Sequence, residues 1–164
     1  RPYHAARKGN ELFTIQAKKY AFNELGEMQT GLQVVNLEGD AIANFFFGDD
    51  GVMKTGKQNI YNEETGETES WLFHTDGEKK GQGYHGLKDS VLYVYGKRQD
   101  APADQRYAPA SLNGTSYLVN TTGNIQKASS SSTSAEKPEL GRGHKDFKDA
   151  NGTIWVTDTN GIIQ

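Results

Sequence analysis

At 164 residues the chain is long enough for one ordinary domain, yet only 34% of it is hydrophobic and 19 residues are glycine, thin material for a single thick core. The formal net charge of −3, with Lys and Arg interleaved among Asp and Glu, leaves no basic patch for a nucleic-acid backbone. Cysteine is absent, which excludes disulfides, thiolate metal sites and a cysteine nucleophile together.

In chain order, Arg1 to Asn10 is polar and basic, and residues 1–11 read as a linker or frayed edge. The chain opens on Arg1 rather than Met and so reads as a mature or excised fragment. Leu12 to Ile15 then pairs with Tyr20 to Phe22 as a first hairpin. The second joins LQVV, from Leu32, to IANFFF, ending at Phe47; its Ile42, Phe45 and Phe47 break strict alternation and predict a bulge near Asn44. The apolar run AIANFFF, the longest in the chain, is interrupted by Asn44 and far too short to span a bilayer, so no membrane insertion is expected.

A third hairpin joins Gln58 to Tyr61 with Ser70 to Phe73 through the acidic NEETGETE. A fourth enters through Tyr84 to Leu87, turns at Lys88, Asp89 and Ser90, and returns as VLYVY. Pro102 and Pro109 then mark a surface excursion. Asn113-Gly114 and Asn151-Gly152, each between short apolar runs, predict type I′ turns. Between them, ASSSSTSAEKPELG predicts an exposed insertion over residues 128–143, with Leu140 available to pin its end. No segment carries a helical period of any length.

The hairpins repeat. YAFNELGEMQTG (Tyr20 to Gly31) returns as FFFGDDGVMKTG from Phe45, and more loosely as WLFHTDGEKKG from Trp71, YLVNTTGNIQK from Tyr117 and WVTDTNGIIQ from Trp155. In all five the aromatic precedes its glycine (Gly26, Gly51, Gly77, Gly123, Gly161) by six positions. Tyr20, Phe45 and Trp71 are 25 and 26 residues apart, a solenoid-like period, and Tyr93 marks a degenerate copy that has lost its glycine. An array of about six such units buries a shallow apolar face between neighbours and needs no deep centre. The expected fold is all-β, a solenoid of short antiparallel β-hairpins: repeats over residues 12–127, the insertion over 128–143, and a terminal repeat over 144–164.

KKYAFNELGEMQTG and NFFFGDDGVMKTG closely resemble the second half of the cell-wall-binding repeat of Gram-positive surface proteins. That family includes choline-binding, glucan-binding and clostridial-toxin repeats. The resemblance implies a choline-binding-repeat-like fold in a secreted or surface-attached bacterial protein, outside the cell on the wall or surface. Its partners would be cell-wall polysaccharide or another glycan, with self-association of the array as a further partner class. Choline-binding members hold the ligand cation in an aromatic cage, through attraction over ring faces. Here the first cage position is Leu32 or Lys57, and the second is Lys19, Asn44, Ser70, Ser116 or Ile154. None offers a ring, so choline binding is disfavoured.

Two readings of the recurring aromatics stand side by side: rings filling a shallow core, or rings stacking on sugars. The candidates for stacking are Trp71 and Trp155, then Tyr20 and Tyr117, with Asp49 and Asn120 as orienting polar groups. No convergent catalytic set is present: the histidines lack a zinc-binding helix spacing, a His74–His85 metal pair is less expected than solvent-facing turn histidines, and Ser129 to Ser134 forms no nucleophile elbow. Asp49-Asp50-Gly51 lacks the spaced oxygens of a Ca²⁺ loop. The segment is therefore expected to be non-catalytic, without metal or cofactor. Its function is expected to be wall or glycan binding, with a structural stalk or protein-docking module, or a host-glycan receptor array, as alternatives.

Overall fold

Alternating side chains and tight turns fold the chain into successive hairpins, and the computed structural model describes residues 8–164. Arg1 to Arg7, most of the linker expected over residues 1–11, lie outside the described residues. Two compact units emerge, residues 1–84 with 95–97, and residues 85–94 with 98–164. Among the described residues the regular structure is all strand apart from one 3₁₀ turn, Pro138–Leu140.

In the first unit β1 (Asn10–Ile15) and β2 (Lys18–Phe22) pair through a two-residue turn, Gln16 and Ala17, both at positive φ. These residues have a Cβ, so the turn costs roughly 1–2 kcal/mol each in local strain, which the five cross-strand pairs offset. β3 (Gly31–Asn36) pairs antiparallel with β4 (Ile42–Phe47), which also carries the short β5 (Met53–Lys54). A parallel contact of β1 with β3 joins the first two hairpins into one five-stranded sheet. β6 (Gly56–Asn62) and β7 (Glu67–Phe73) form the next hairpin, and Lys97, the first residue of β10 (Lys97–Arg98), pairs with Trp71.

The expected bulge near Asn44 is absent, because the register from Gly31↔Phe47 to Asn36↔Ile42 is unbroken. Strict alternation survives: Ala43, Phe45 and Phe47 point to one face, and Ile42 is left 62% exposed on the other. Phe45 and Phe47 pack with Ala21 and Val35, and Leu12, Leu37, Ala43 and Met53 close around them. Burying each of those two rings stabilises the unit by roughly 1.5–3 kcal/mol.

The second unit holds the hairpins β8 (Gly86–Lys88) with β9 (Val91–Val94), β11 (Tyr107–Leu112) with β12 (Thr115–Asn120), and β13 (Lys145–Lys148) with β14 (Ile154–Thr157). Asn113 and Gly114 both have positive φ, as a type I′ turn requires. Asn151-Gly152 behaves otherwise. It lies inside a five-residue loop closed by Asp149, whose N–H donates to Thr153 O while its Oδ1 accepts from the Asn151 and Thr153 N–H groups at 2.9 Å. An Asp able to cap two loop donors displaces the two-residue turn. Leu92, Val119 and Ile125 form the core here, with Ala110, Leu112 and Tyr117 against it.

The expected insertion, residues 128–143, is tied by hydrogen bonds to the terminal hairpin and to the last residue. Ser134, only 2% exposed, donates to Asp146 Oδ1, and Asp146 Oδ2 accepts from the Ala135 and Glu136 N–H groups. Gly143 and His144 N–H both donate to Ser132 O, and Lys137 Nζ donates to Gln164 O. Leu140, the residue available to pin the segment's end, is half-buried.

Candidate functional site

Three of the five repeat copies, those from Tyr20, Tyr117 and Trp155, build the same local device; Gly48 and His74 take the place of its Asx residue in the other two. After the aromatic strand, an Asx residue three positions on accepts from two backbone N–H groups and donates its own N–H across the loop. Asn23 accepts from Leu25 and Glu27, Asn120 from Thr122 and Asn124, and Asp158 from Asn160 and Ile162, all at 2.8–3.0 Å. The glycine follows three residues later, donating to the Asx carbonyl: Gly26 to Asn23, Gly123 to Asn120, Gly161 to Asp158. Asx-x-x-Gly was legible in the sequence as NELG, NTTG and DTNG, and DANG at Asp149 shares it outside the aromatic register.

The glycine does more than turn. A Cβ on Gly51 would lie 2.9 Å from Met28 Cε, and one on Gly81 2.8 Å from Met53 Cε. The residue closing one turn therefore rests on the glycine of the next. In the third copy this glycine is Gly81 and not Gly77, which is exposed with nothing near it. The closing bridge Phe73↔Gly83 spans ten residues where Phe47↔Met53 spans six, so the third turn holds four more residues and moves the buried glycine four places on.

The Tyr93 copy has likewise kept a glycine. Gly96, with Tyr95 before it at positive φ, makes a shortened turn, and a Cβ on Gly96 would lie 2.9 Å from the Cα of Gly83. In the second unit Arg98 takes the methionine's place, its Cγ 2.6 Å from where a Gly123 Cβ would stand, and its guanidinium is capped bidentately by Asp100 at 2.7 and 3.1 Å. The aliphatic stem packs while the charged head is satisfied outside. Ile125 rests on Gly161 in the same way.

The candidate stacking residues fall in different environments. Trp71 is 7% exposed and stacks on Phe73 with ring centroids 5.9 Å apart; its indole N–H donates to Glu69 at 3.1 Å. Desolvation pushes the Glu69 carboxyl up, but hydrogen bonds from Asn62, the Trp71 indole and Lys97, with the Lys97 charge, outweigh it and hold the group below the ordinary glutamate value. Tyr20 is half-buried opposite Phe13, and Tyr117 half-buried against the core of the second unit. Asp49 is exposed, with no hydrogen bond from a described residue. Asn120 uses its Oδ1 in the turn, and its amide N–H₂ donates to no described residue. Composition and spacing did not single out Tyr61 and Tyr95, each 61% exposed; only burial distinguishes them from core rings.

Trp155 is the half-buried ring with the most defined surroundings. It stands directly opposite Phe147 across the terminal hairpin, so both rings share one face. Tyr107 meets Phe147 edge-on at 5.5 Å, extending that face to a third ring. The Trp155 indole N–H donates to Asp149 Oδ2 at 3.1 Å. Desolvation again raises the carboxyl, and the hydrogen bonds from Trp155 and from the Thr153, Asn151 and Gly152 backbone prevail, so Asp149 stays below the usual aspartate range. Ala150 N–H donates to Gln105 O, which ties the Asp149 loop to the residue preceding Arg106 and Tyr107.

Among the described residues no three His, Asp or Glu side chains gather in a metal-holding group. His74 packs on Tyr84 at 4.9 Å, and His85 shares a hydrogen bond with Asn113.

No family model matches the sequence, and comparison with curated proteins also gives no match. Among solved structures the chain is similar to CbpJ from Streptococcus pneumoniae, at 18% identity and a TM-score of 0.49, over 96% of this chain and 42% of that one. It is also similar to choline binding protein F from the same organism, solved with a peptidoglycan analogue, at 17% identity and a TM-score of 0.49, over 94% of this chain and 39% of that one. An alternansucrase in complex with isomaltononaose is similar at 18% identity and a TM-score of 0.24, over 95% of this chain and 15% of that one. The chain thus spans about two fifths of the length of the first two.

Proposed function

We propose that the chain is a non-catalytic glycan-binding module, a solenoid of β-hairpin repeats that holds the protein carrying it on bacterial cell-wall polysaccharide at the cell surface. The observation that carries this reading is Trp155: a large ring left half open to solvent, clamped at its N–H by Asp149 and sharing a face with Phe147 and Tyr107. A fixed aromatic face is suited to stacking on a sugar ring, because little rotamer freedom remains to be lost on binding. Tyr20 and Tyr117 add half-open rings, Trp71 at 7% exposure adds less, and Asp49 and the Asn120 amide supply polar groups for orientation. Each site is shallow, so single sites bind at about 0.1–1 mM and repetition supplies avidity.

Choline is not the ligand in this reading, since Leu32, Lys57, Lys19, Asn44, Ser70, Ser116 and Ile154 stand where a cation cage needs rings. The stalk reading has its own support: Phe45, Trp71 and Tyr93, half of the anchor aromatics, are buried and serve the core. Titrating Trp71→Phe protein with wall polysaccharides and with choline, while following Trp155 fluorescence, decides between them. Saturable change with a polysaccharide supports the module, silence towards every glycan supports the stalk, and saturable choline binding refutes the cage argument.

A further inference from the structure

Arg106 and Lys145 sit over the two rings that extend the Trp155 face. The Arg106 guanidinium lies over the Tyr107 ring at 5.1 Å, and Lys145 Nζ lies over the Phe147 ring at 5.2 Å. Neither forms a salt bridge with a described residue. The two acids on the Lys145 strand and in the loop after it are already engaged. Asp146 is taken up by Ser134, Ala135 and Glu136, and Asp149 by Trp155, Asn151 and Thr153. Their carboxylates are thus held away from both cations by other donors, in a chain that is acidic as a whole.

Arg106 is also placed rather than merely present. It follows the turn closed by Gln105 N–H on Pro102 O and has a φ of 71°, a left-handed conformation unusual for a residue with a side chain. The other non-glycine residues at positive φ sit in the tight turns of hairpins, Gln16, Ala17, Asp89, Ser90, Tyr95 and Asn113. Strained backbone outside a hairpin tip is a reason to look for function. Here the strain aims a guanidinium along the ring beside it, and the Ala150–Gln105 hydrogen bond holds that segment to the Trp155 clamp.

We propose that this face binds an acidic sugar polymer, the pyranose ring stacking on Trp155 while a carboxylate or phosphate of the polymer bridges Arg106 and Lys145. The proposal rests on the glycan-binding reading and narrows its ligand to anionic glycans. A neutral glucan would leave both cations unanswered. A ligand anion gains two charge-assisted hydrogen bonds from groups that have no internal acid to give up.

The test uses the full chain with Trp71→Phe, so that Trp155 alone reports. Three polymers of matched length are titrated: polygalacturonate as the carboxylate source, poly(glycerol phosphate) as the phosphate source, and dextran as the neutral control. The expected result is saturable binding of at least one polyanion, weakened about tenfold or more by Arg106→Gln with Lys145→Gln, and weakened by raising NaCl from about 50 to about 500 mM. Lys57→Gln with Lys80→Gln removes the same charge elsewhere and should leave it unchanged. The charge-preserving pair Arg106→Lys with Lys145→Arg retains most of the binding, which separates a lost ligand contact from a damaged fold. Dextran binding as tight as either polyanion overturns the acidic-ligand inference while sparing the glycan-binding reading. Polyanion binding equally weakened by the Lys57/Lys80 pair also overturns it, and no response to any polymer overturns both.

Discussion

Replacing Gly51 with Ala tests the packing that ties successive repeats together. Gly51 has a φ of +81°, and an added methyl would meet the Met28 side chain, with Cε at 2.9 Å and Cγ at 3.0 Å. Two costs follow. The left-handed backbone disfavours Ala by about 1–2 kcal/mol, partly offset by about 0.4–1 kcal/mol through the stiffer unfolded chain. The second cost is displacement of Met28, which is 45% exposed, so that about half of the roughly 1.5–3 kcal/mol of a fully buried Met is at stake. The total is about 2 kcal/mol. Gly77→Ala is the internal control, because Gly77 has a φ of +74° but nothing within 4 Å, leaving only the backbone cost of about 1 kcal/mol. In urea unfolding followed by Trp71 fluorescence, Gly51→Ala should cost about twice as much as Gly77→Ala. In a Met28→Ala background its cost should fall to the Gly77 level, a coupling of about 1 kcal/mol. Equal costs at Gly51 and Gly77, or a Gly51 cost untouched by Met28→Ala, would show that the methionine-on-glycine contact does not stabilise the unit.

Asp149 should titrate below the ordinary aspartate value of 3.8, because its folded pKa is depressed. Its contribution to stability is complete above the unfolded pKa and lost as pH falls through the folded one, so Trp155 fluorescence in Trp71→Phe should change only below that value and be flat in Asp149→Asn; a midpoint at or above 3.8 contradicts the clamp. Glu69→Ala should destabilise the first unit by about 1–3 kcal/mol, since it leaves the Trp71 indole N–H, buried with its ring, without an acceptor. A urea midpoint within about 0.3 M of the parent would argue that the hydrogen bond is dispensable. Trypsin should cut first after the exposed Arg142, and faster in Asp146→Ala, whose Ser134, Ala135 and Glu136 tethers are gone. First cleavage at Lys54 or Lys57 would place the weakest segment elsewhere.

Local chemistry made much of this protein legible from its sequence. Period-two alternation and turn residues are properties of a few neighbouring side chains, so β1 with β2, β3 with β4 and β6 with β7 lie where sequence reasoning expects them, whereas β11 begins inside the stretch that Pro109 marked as a surface excursion, because a two-stranded pair has only edge strands and tolerates the proline. The repeat was legible for the same reason, since one turn and one strand pair recur. What depends on the neighbouring repeat was not. Gly77 has the right spacing from Trp71, but Gly81 carries the packing, because four extra residues carry the chain past Gly77 before the contact with Met53 is made. Asn151-Gly152 is a strong hairpin signal, yet Asp149 caps the loop and holds Trp155 besides, a choice set by side-chain hydrogen bonds across the hairpin. Likewise Trp71 and Trp155 are equivalent in sequence, and only tertiary structure buries one and leaves the other half open. The burial of a strand's face depends on what the chain later lays against it, and that information is not contained in the strand.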